Sequence, residues 1–453
     1  MSHTTTRRLL APLIAAAFVF ALLLPGLASA KQAHSAPGHG AGKVAPKGYG
    51  HGHGKHHARG HGKGHGHAKH HGRGKHHGHG WHHGHGGHHP GHGSGGHPGD
   101  HGKGKVAGVM TRNLYLGADL TPAIRATSLD AFVAATGQIL REVTANDFPT
   151  RAEGLAEEIL AAEPDLVGLQ EVALWRTGPP SLAPLQTGPS ATTVRYDYLQ
   201  LLLDELNQGP DRYEVAVVQD EFDLEAPGDE NGIAGDGPAE QGIPNAEING
   251  RLTMRDVILV RRGAGVQTSN PQSGNFKTLL QVPILGQPLT IKRGWTAIDA
   301  KVRGSDWFRF VNTHLEAFDP AALVPSIRSL QAAELVAPDG PATSSLPVIL
   351  VGDLNSDDDT VAPGDQQAYR TLLDAGMVER STDDPLSCCL DSSLLADDAG
   401  GSVADFDHQV DHVMTRDPAE ITLQSSAVSG LLPVDGFWNS DHAGVFSALR
   451  FAH

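Results

Sequence analysis

The sequence predicts one α/β domain over residues 106–453, and three observations carry that prediction. Apolar strand-like runs alternate with amphipathic helical stretches from residue 106 to residue 450, without a long linker between them. A segment of about 345 residues is large for a single hydrophobic core, which favours two packed sheets. Polar side chains also recur where the predicted strands end, and functional sites collect at such ends in α/β sheets.

The clearest of these strand ends is the string Gly352-Asp353-Leu354-Asn355. The apolar run at 348–351 predicts a strand buried on both faces, and Gly352 allows a sharp turn at its end. Asp353 and Asn355 are two residues apart, so on an extended backbone both side chains point to the same side. Burying these polar groups costs free energy, which favours a functional role. A simple polar turn after a strand would show the same residue types in the sequence.

The remaining elements follow from periodicity and from start and stop signals. Strands are predicted at residues 105–110, 166–169, 213–219, 256–260, 296–302, 308–311, 409–414 and 445–451. Helices are predicted at residues 129–143, 198–206, 327–336 and 367–373, and another begins with a capping box at Thr150 and Glu153 and ends before Pro164. Residues 177–194 are predicted as a loop. The acidic insertion at 221–250 is interpreted either as a solvated loop or as a loop that binds calcium or gates a substrate.

Residues 1–30 have the features of a secretory signal peptide. A basic pair at 7–8 precedes an apolar stretch at 9–24, and Ala28-Ser29-Ala30 is a small-residue cleavage site. Prolines interrupt the apolar stretch, which is short for a membrane span. We therefore expect cleavage after Ala30 and a secreted, extracellular protein.

Residues 31–105 form a Gly/His/Lys-rich tract that contains 22 of the 28 histidines. The tract has almost no apolar residues to bury, so we expect it to be disordered. Three interpretations of its role stay open. It binds a transition metal through clustered imidazoles, it is a polycation below about pH 6.5 that contacts anionic surfaces, or it is a solvated linker.

Charge divides the chain sharply. The tract carries a net charge of +10, whereas residues 106–453 carry −28. An acidic domain repels long polyanions unless cations compensate. This balance argues against a sequence-reading nucleic-acid binder, but it is compatible with a nuclease that uses divalent cations.

The two cysteines, Cys388 and Cys389, are neighbours in the sequence. Export permits disulfides, although an adjacent pair closes only a small, strained ring. The sequence does not decide between a vicinal disulfide, two small buried residues and two cysteines without a partner.

Eight polar residues at or near strand ends form the predicted site. They are Asn113, Glu171, His314, Asp353, Asn355, Asp411, Asp441 and His442. All four histidines of residues 106–452 lie in such strings, which favours a functional role over a structural one.

The residue types suggest a division of labour. Glu171 and Asp441 offer hard oxygen ligands suited to Mg²⁺, with Mn²⁺ and Ca²⁺ as alternatives. His442 is a candidate general base, and Asp411 is the candidate group that orients it. The amide and imidazole groups can donate hydrogen bonds to oxygens that carry developing negative charge. Such a set suits metal-assisted attack of water on a phosphorus ester.

Six strings resemble, in order, the motifs of the endonuclease/exonuclease/phosphatase superfamily, which includes deoxyribonuclease I, neutral sphingomyelinases and inositol-polyphosphate phosphatases. The strings are Thr-Arg-Asn, Leu-Gln-Glu, Asn-Thr-His-Leu-Glu, Gly-Asp-Leu-Asn, Val-Asp-His-Val and Ser-Asp-His. The resemblance covers residues 106–450 and implies a four-layer α/β/β/α sandwich of two mixed sheets. The string at 113–119 is also similar to exported bacterial members.

The resemblance implies a role for each matched residue. Glu171 is then the principal magnesium ligand, with Asn113 beside the metal and phosphate and Asp441 near a metal position. Tyr115 stands where abasic-site endonucleases carry a second acidic residue, which weakens a repair-endonuclease assignment.

The other half of the site follows from the same resemblance. His314 binds the phosphate, Asp353 aligns the attacking water, and Asn355 stabilises the pentacovalent oxyanions. His442 acts as the general base and Asp411 orients it.

Together these observations predict a secreted, divalent-metal-dependent phosphoesterase, most simply a phosphodiesterase that acts as a nuclease or as a sphingomyelinase- or phospholipase C-like enzyme. Nucleic acid and phospholipid head groups are equally supported as substrates, and no obligate protein partner is evident. The alternative is an exported metal-binding protein that acts through its His-rich tract and has a non-catalytic domain.

Overall fold

The computed structural model describes residues 105–452, apart from 183, 185–187, 211, 234, 236–242, 244, 319–323, 358–365, 382–385, 397–400 and 417–419. The predicted signal peptide and the His-rich tract up to residue 104 lie outside the described residues. No helix in the described part of the chain is long and apolar enough to span a membrane.

Sixteen strands are present among the described residues. In chain order they are β1 (Val106–Asn113), β2 (Leu166–Gln170), β3 (Leu174–Gly178), β4 (Thr193–Asp197), β5 (Tyr213–Gly228), β6 (Ile248–Arg261), β7 (Val266–Asn275), β8 (Leu280–Ile284), β9 (Gln287–Ile291), β10 (Gly294–Val302), β11 (Phe308–His314), β12 (Val348–Asp353), β13 (Met377–Glu379), β14 (Asp411–Arg416), β15 (Ile421–Ser429) and β16 (Gly444–Phe451). The helices are α1 (Thr121–Ile124), α2 (Leu129–Ala145), α3 (Phe148–Ala162), α4 (Tyr198–Leu206), α5 (Ile327–Val336) and α6 (Gln366–Asp374), with a 3₁₀ turn at Val403–Asp405.

The strands form two large mixed sheets and one hairpin. The first sheet has the order β15-β16-β1-β2-β6-β3-β4, with β5 also paired to β6. The second has the order β13-β14-β12-β11-β10-β7, and β8 pairs with β9 alone. In each large sheet a parallel pair sits at the centre, β1 with β2 and β11 with β12.

Three apolar clusters explain the layering. One cluster lies between the sheets and joins Val109 and Ile258 of the first sheet to Phe310 and Val351 of the second. A second cluster packs α2, α3 and α4 onto the outer face of the first sheet. A third packs α5 and α6 onto the outer face of the second sheet. The layers are therefore α/β/β/α, which confirms the predicted fold class.

Two local predictions are wrong. Helix α3 begins before the expected capping box, because Asp147 precedes its first turn and the Thr150 hydroxyl donates to the Asp147 carboxylate at 2.7 Å. The insertion at 221–250 is not one loop, because its first residues extend β5 to Gly228 and its last begin β6. The long β5–β6 hairpin carries acidic residues on its strands, so acidic composition concealed its extended backbone.

Candidate active site

The eight predicted residues converge on one edge of the sandwich, and both sheets contribute. Parallel β1 and β2 end there with Asn113 and, one residue beyond Gln170, with Glu171. In the second sheet the register pairs His314 with Asp353 and Asp353 with Asp411. Strand β14 runs antiparallel to β12, and β16 runs antiparallel to β1, so both begin at this edge. Their starts add Asp411 and the segment Asp441-His442.

Asp353 is the hub of the site. Asn113 Nδ2 donates to Asp353 Oδ2 at 3.0 Å, and this bond joins the two sheets. The same oxygen lies 3.5 Å from His314 Nε2 and 3.8 Å from His442 Nε2. Burial raises the pKa of Asp353 to about 6. Because three predicted site residues meet at one carboxylate, a ligand at this point would contact all of them.

Gly352 makes this arrangement sterically possible. Its φ is +154°, and a Cβ atom there would lie 2.1 Å from the backbone oxygen of Thr313. Any other residue would therefore push β11 and β12 apart where they place His314 and Asp353.

His442 and Asp411 form a buried dyad. His442 Nδ1 lies 2.8 Å from Asp411 Oδ2, which fixes the ring and leaves Nε2 on the side of Asp353 and Asp441. Burial by itself lowers the pKa of His442, but the charges of Asp411, Asp353 and Asp441 outweigh it and raise that pKa to about 10. An imidazole held in this way has the geometry of an oriented general base.

A pH profile tests the dyad. General-base action needs the neutral imidazole, so kcat/KM should rise with pH until His442 loses its proton. Asp411→Asn removes the largest of the charges that raise the His442 pKa, so the midpoint of this ascending limb should move to lower pH while the maximal rate falls. An unchanged or higher midpoint in Asp411→Asn would contradict the dyad.

His314 differs from His442 in its protonation. Arg293 Nη1 lies 3.1 Å from His314 Nδ1, and a guanidinium can only donate, so the ring proton sits on Nε2. Burial, with the nearby charges of Arg293 and His442, lowers the His314 pKa well below its ordinary value. His314 is therefore a neutral hydrogen-bond donor whose N–H is on the Asp353 side.

The residues predicted as metal ligands fit a divalent cation. Glu171 is half-buried and Asp441 is buried; desolvation raises the pKa of Glu171 and the Asp441 charge raises it further. Glu171 Oε2 accepts from the Leu116 backbone N–H at 2.7 Å, which orients the carboxylate. Two mutually repelling carboxylates with hard oxygen donors suit Mg²⁺ or Mn²⁺.

The two amide residues are partly occupied within the protein. Asn113 Oδ1 accepts from the Tyr115 backbone N–H at 2.9 Å, in addition to the bond from its Nδ2 to Asp353. Asn355 has a left-handed backbone (φ 48°) and its Nδ2 donates to the Leu315 carbonyl at 3.0 Å. Each amide NH₂ still has a second proton for a substrate oxygen.

Comparison with known proteins identifies the family. The profile of the Endonuclease/Exonuclease/phosphatase family matches residues 137–442. The chain belongs to this family. No curated protein matches the chain.

Solved structures of the endonuclease/exonuclease/phosphatase fold are similar at low identity. They include D. rerio TDP2 with single-strand DNA product (14% identity, TM-score 0.40, 76% of this chain and 99% of that chain). A family protein from Beutenbergia cavernae has 19% identity and a TM-score of 0.41, and the match covers 77% of this chain and 72% of that chain. The Bacteroides thetaiotaomicron mannosyl-6-phosphatase has 14% identity and a TM-score of 0.40, and the match covers 76% of this chain and 100% of that chain. The assignment rests on the family profile, whose members are metal-dependent phosphoester hydrolases. The protein is thus a metal-dependent phosphoric ester hydrolase.

Within this family member, two of the four histidines of residues 106–452 have side chains outside the predicted site. His412 Nδ1 pairs with Glu379 at 2.7 Å and its Nε2 lies 2.9 Å from the Ser356 carbonyl, so it is a buried structural residue. His408 is half-buried beside Asp407. The expectation that every histidine marks the site was therefore wrong for these two.

Sequence reasoning also missed three residues beside the site. Arg293 precedes β10 and carries the positive charge behind His314. Glu221 and Asp256, on β5 and β6, are buried within reach of the same histidine. The Lys-Arg-Gly string before β10 was the only signal for Arg293, and the acidic composition around 221 disguised Glu221.

Cys388 and Cys389 form a vicinal disulfide, which decides the alternative that the sequence left open. Cys389 Sγ lies 3.9 Å from His442 Nε2. The disulfide is thus part of the wall of the site, on the reactive side of the imidazole.

Proposed function

We propose that this hydrolase is a secreted, Mg²⁺-dependent phosphodiesterase in which water attacks phosphorus in line with the leaving group. The observation that carries the proposal is the Asp411–His442 dyad, in which His442 Nε2 lies 3.8 Å from Asp353. An oriented base beside a water-aligning carboxylate is the arrangement that hydrolysis without a covalent intermediate requires.

Each step uses a residue of this chain. Asp353 accepts a hydrogen bond from the attacking water and aligns it with phosphorus. His442 Nε2 removes the proton of that water, and Asp411 stabilises the imidazolium that results. The buried position of all three groups excludes bulk water and strengthens their electrostatic interactions.

Neutral donors surround the place where charge develops on phosphorus. The Nε2–H of His314 and the second amide protons of Asn113 and Asn355 can donate to non-bridging oxygens. Glu171 and Asp441, with Asn113 beside them, would hold the metal, which supplies Lewis-acid charge neutralisation when bound.

Charge supports a diester over a monoester. A phosphate monoester carries nearly two negative charges at neutral pH, whereas a diester carries one. The phosphate-binding His314 is uncharged, and Arg293 behind it is already close to Glu316, with Nε 3.9 Å from Oε2. A strongly acidic domain with few cations at its site should therefore favour the less charged ester.

The vicinal disulfide supports export, because disulfides persist in oxidising compartments. We propose that cleavage after Ala30 releases the protein outside the cell. N-terminal sequencing of protein recovered from culture medium tests this, and a mature chain that retains residues 1–30 contradicts it.

A substrate panel tests the activity itself. Plasmid DNA, RNA, sphingomyelin, a chromogenic phosphodiester and a matched monoester are assayed with Mg²⁺ and with EDTA. We expect diester cleavage that EDTA abolishes and Mg²⁺ restores. The macromolecule that is cleaved assigns the leaving group, and preferential cleavage of the monoester would overturn the diesterase proposal.

Glu171→Gln tests the metal role. The amide keeps the shape of the side chain but loses the negative charge, so the Mg²⁺ concentration for half-maximal activity should rise by at least about tenfold. Glu153→Gln, on α3, is the matched control and should leave the titration unchanged. If Glu171→Gln titrates like wild type, Glu171 is not a metal ligand.

A further inference from the structure

A second carboxylate pair lies behind His314, away from Glu171 and Asp441 in the sequence. Glu221 and Asp256 each offer an oxygen, and His314 a ring nitrogen, and these three atoms lie within 4.8 Å of one another. Glu221 is 3% exposed and Asp256 is fully buried. The proposed mechanism uses neither carboxylate.

The surrounding protein satisfies these carboxylates poorly. All four oxygens are buried, and among the described residues none has a hydrogen-bond partner in good geometry, although the two carboxyls lie against each other and Glu221 lies against the Gly294 backbone N–H. A buried ionised carboxylate without a partner costs several kcal/mol, so such a pair needs protons or a cation.

The backbone is shaped to bring these groups together. Glu221 lies where the β5–β6 register shifts between Asp220 and Asp223, and this bulge coincides with a side chain that is turned inward. Gly294 faces it, and a Cβ there would lie 3.2 Å from Glu221 Oε1. The glycine thus leaves room beside the carboxylate.

The positive charge near the pair does not compensate Glu221 and Asp256 when both are ionised. Arg293 is the cation that faces it, and its charge is also shared with Glu171 and Glu316. The Arg293–Glu316 pair is neutral as a unit, and a metal at Glu171 and Asp441 compensates those two groups. Burial raises the pKa of Glu221 to about 8, and burial together with the Glu221 charge raises the pKa of Asp256 as well. The two carboxyls therefore either hold protons or are ionised around one divalent cation, which would neutralise their two negative charges.

We propose that Glu221 and Asp256 form a second divalent-cation site beside His314, whose own nitrogens are directed to Arg293 and to the Asp353 side. Two carboxylates offer hard oxygen ligands, which suit Mn²⁺. A cation there would bind next to the phosphate-binding histidine and stabilise the β5–β6 hairpin against β10.

Mn²⁺ binding to the full-length protein tests the proposal by equilibrium dialysis and electron paramagnetic resonance. Mn²⁺ is chosen because clustered imidazoles prefer Zn²⁺, Cu²⁺ and Ni²⁺, and the His-rich tract is the same in every variant, so its contribution cancels. We expect Glu221→Gln/Asp256→Asn to bind one Mn²⁺ fewer per chain than wild type. Glu171→Gln should lose a different Mn²⁺, so the two losses should add in the combined variant.

Asp223→Asn is the matched control, since Asp223 lies on the same strand but pairs with Arg251 at the surface. It should bind as much Mn²⁺ as wild type. If the double variant does not fold, single Glu221→Gln decides, with an expected weakening of one Mn²⁺ Kd by at least about tenfold. Wild-type stoichiometry and Kd in the folded variants would overturn the proposal and mean that the two carboxyls hold protons instead. That outcome would not contradict the proposed phosphodiesterase function, which uses neither carboxylate.

Discussion

His442→Ala in the full-length protein is expected to lower kcat by about 10²–10⁴-fold on the best ester of the panel. The substitution removes the Nε2 that takes the proton of the attacking water, while Asp353 and the metal-binding carboxylates stay in place. Substrate binding should change much less than turnover, because His442 acts on the water rather than on the ground-state phosphate. Steady-state kinetics with a chromogenic phosphodiester would separate kcat from KM.

His408→Ala is the matched control, because His408 is half-buried beside Asp407 rather than in the site. Its kcat should equal that of wild type. The general-base assignment fails if His442→Ala turns over every ester at the wild-type rate while its circular dichroism shows a folded protein.

The second large effect is expected for Asp353→Asn. The amide occupies the same space, but it cannot accept from water with the strength of a carboxylate, and it can donate toward His314 or His442. We expect kcat to fall by about 10²–10³-fold, the range found when a single transition-state contact is removed. Asp353 also raises the pKa of His442, so the ascending limb of any residual activity should have its midpoint at lower pH than in wild type.

The control for Asp353→Asn is Asp299→Asn, at a carboxylate of β10 that pairs with Arg309. That variant should keep wild-type kcat. Full activity of Asp353→Asn would remove Asp353 from the mechanism, whereas a loss shared equally by both variants would indicate a general effect on the second sheet.

Strand ends were the part of the site that the sequence revealed. Asp353 and Asn355 could be predicted because an apolar run and a glycine place them on a known side of the chain. His314 and His442 stood out because histidines are rare in the domain. The edge of the sandwich was predictable for the same reason, since polar residues that follow buried strands must gather where those strands end.

Residues whose role depends on contacts from distant elements could not be predicted. Arg293 precedes β10, which was predicted as a strand, but the partner strand β7 is polar and largely exposed and showed no hydrophobic alternation, so the surroundings of Arg293 were not visible in the sequence. Glu221 is turned inward by a bulge, which leaves no mark in composition. His408 and His412 were misjudged because sequence neighbours, such as an adjacent aspartate, do not reveal which partner a ring meets across the fold.

The hydrogen bond from Asn113 to Asp353 connects β1 of one sheet to β12 of the other. A second cross-sheet bond, from Gln170 Nε2 to Asn312 Oδ1 at 2.6 Å, connects β2 to β11. The catalytic geometry therefore exists only while the two sheets are docked, and ligands that bind this edge are thermodynamically linked to that docking. Metal and substrate should raise the unfolding temperature, and a mutation deep between the sheets should weaken metal binding at a distance.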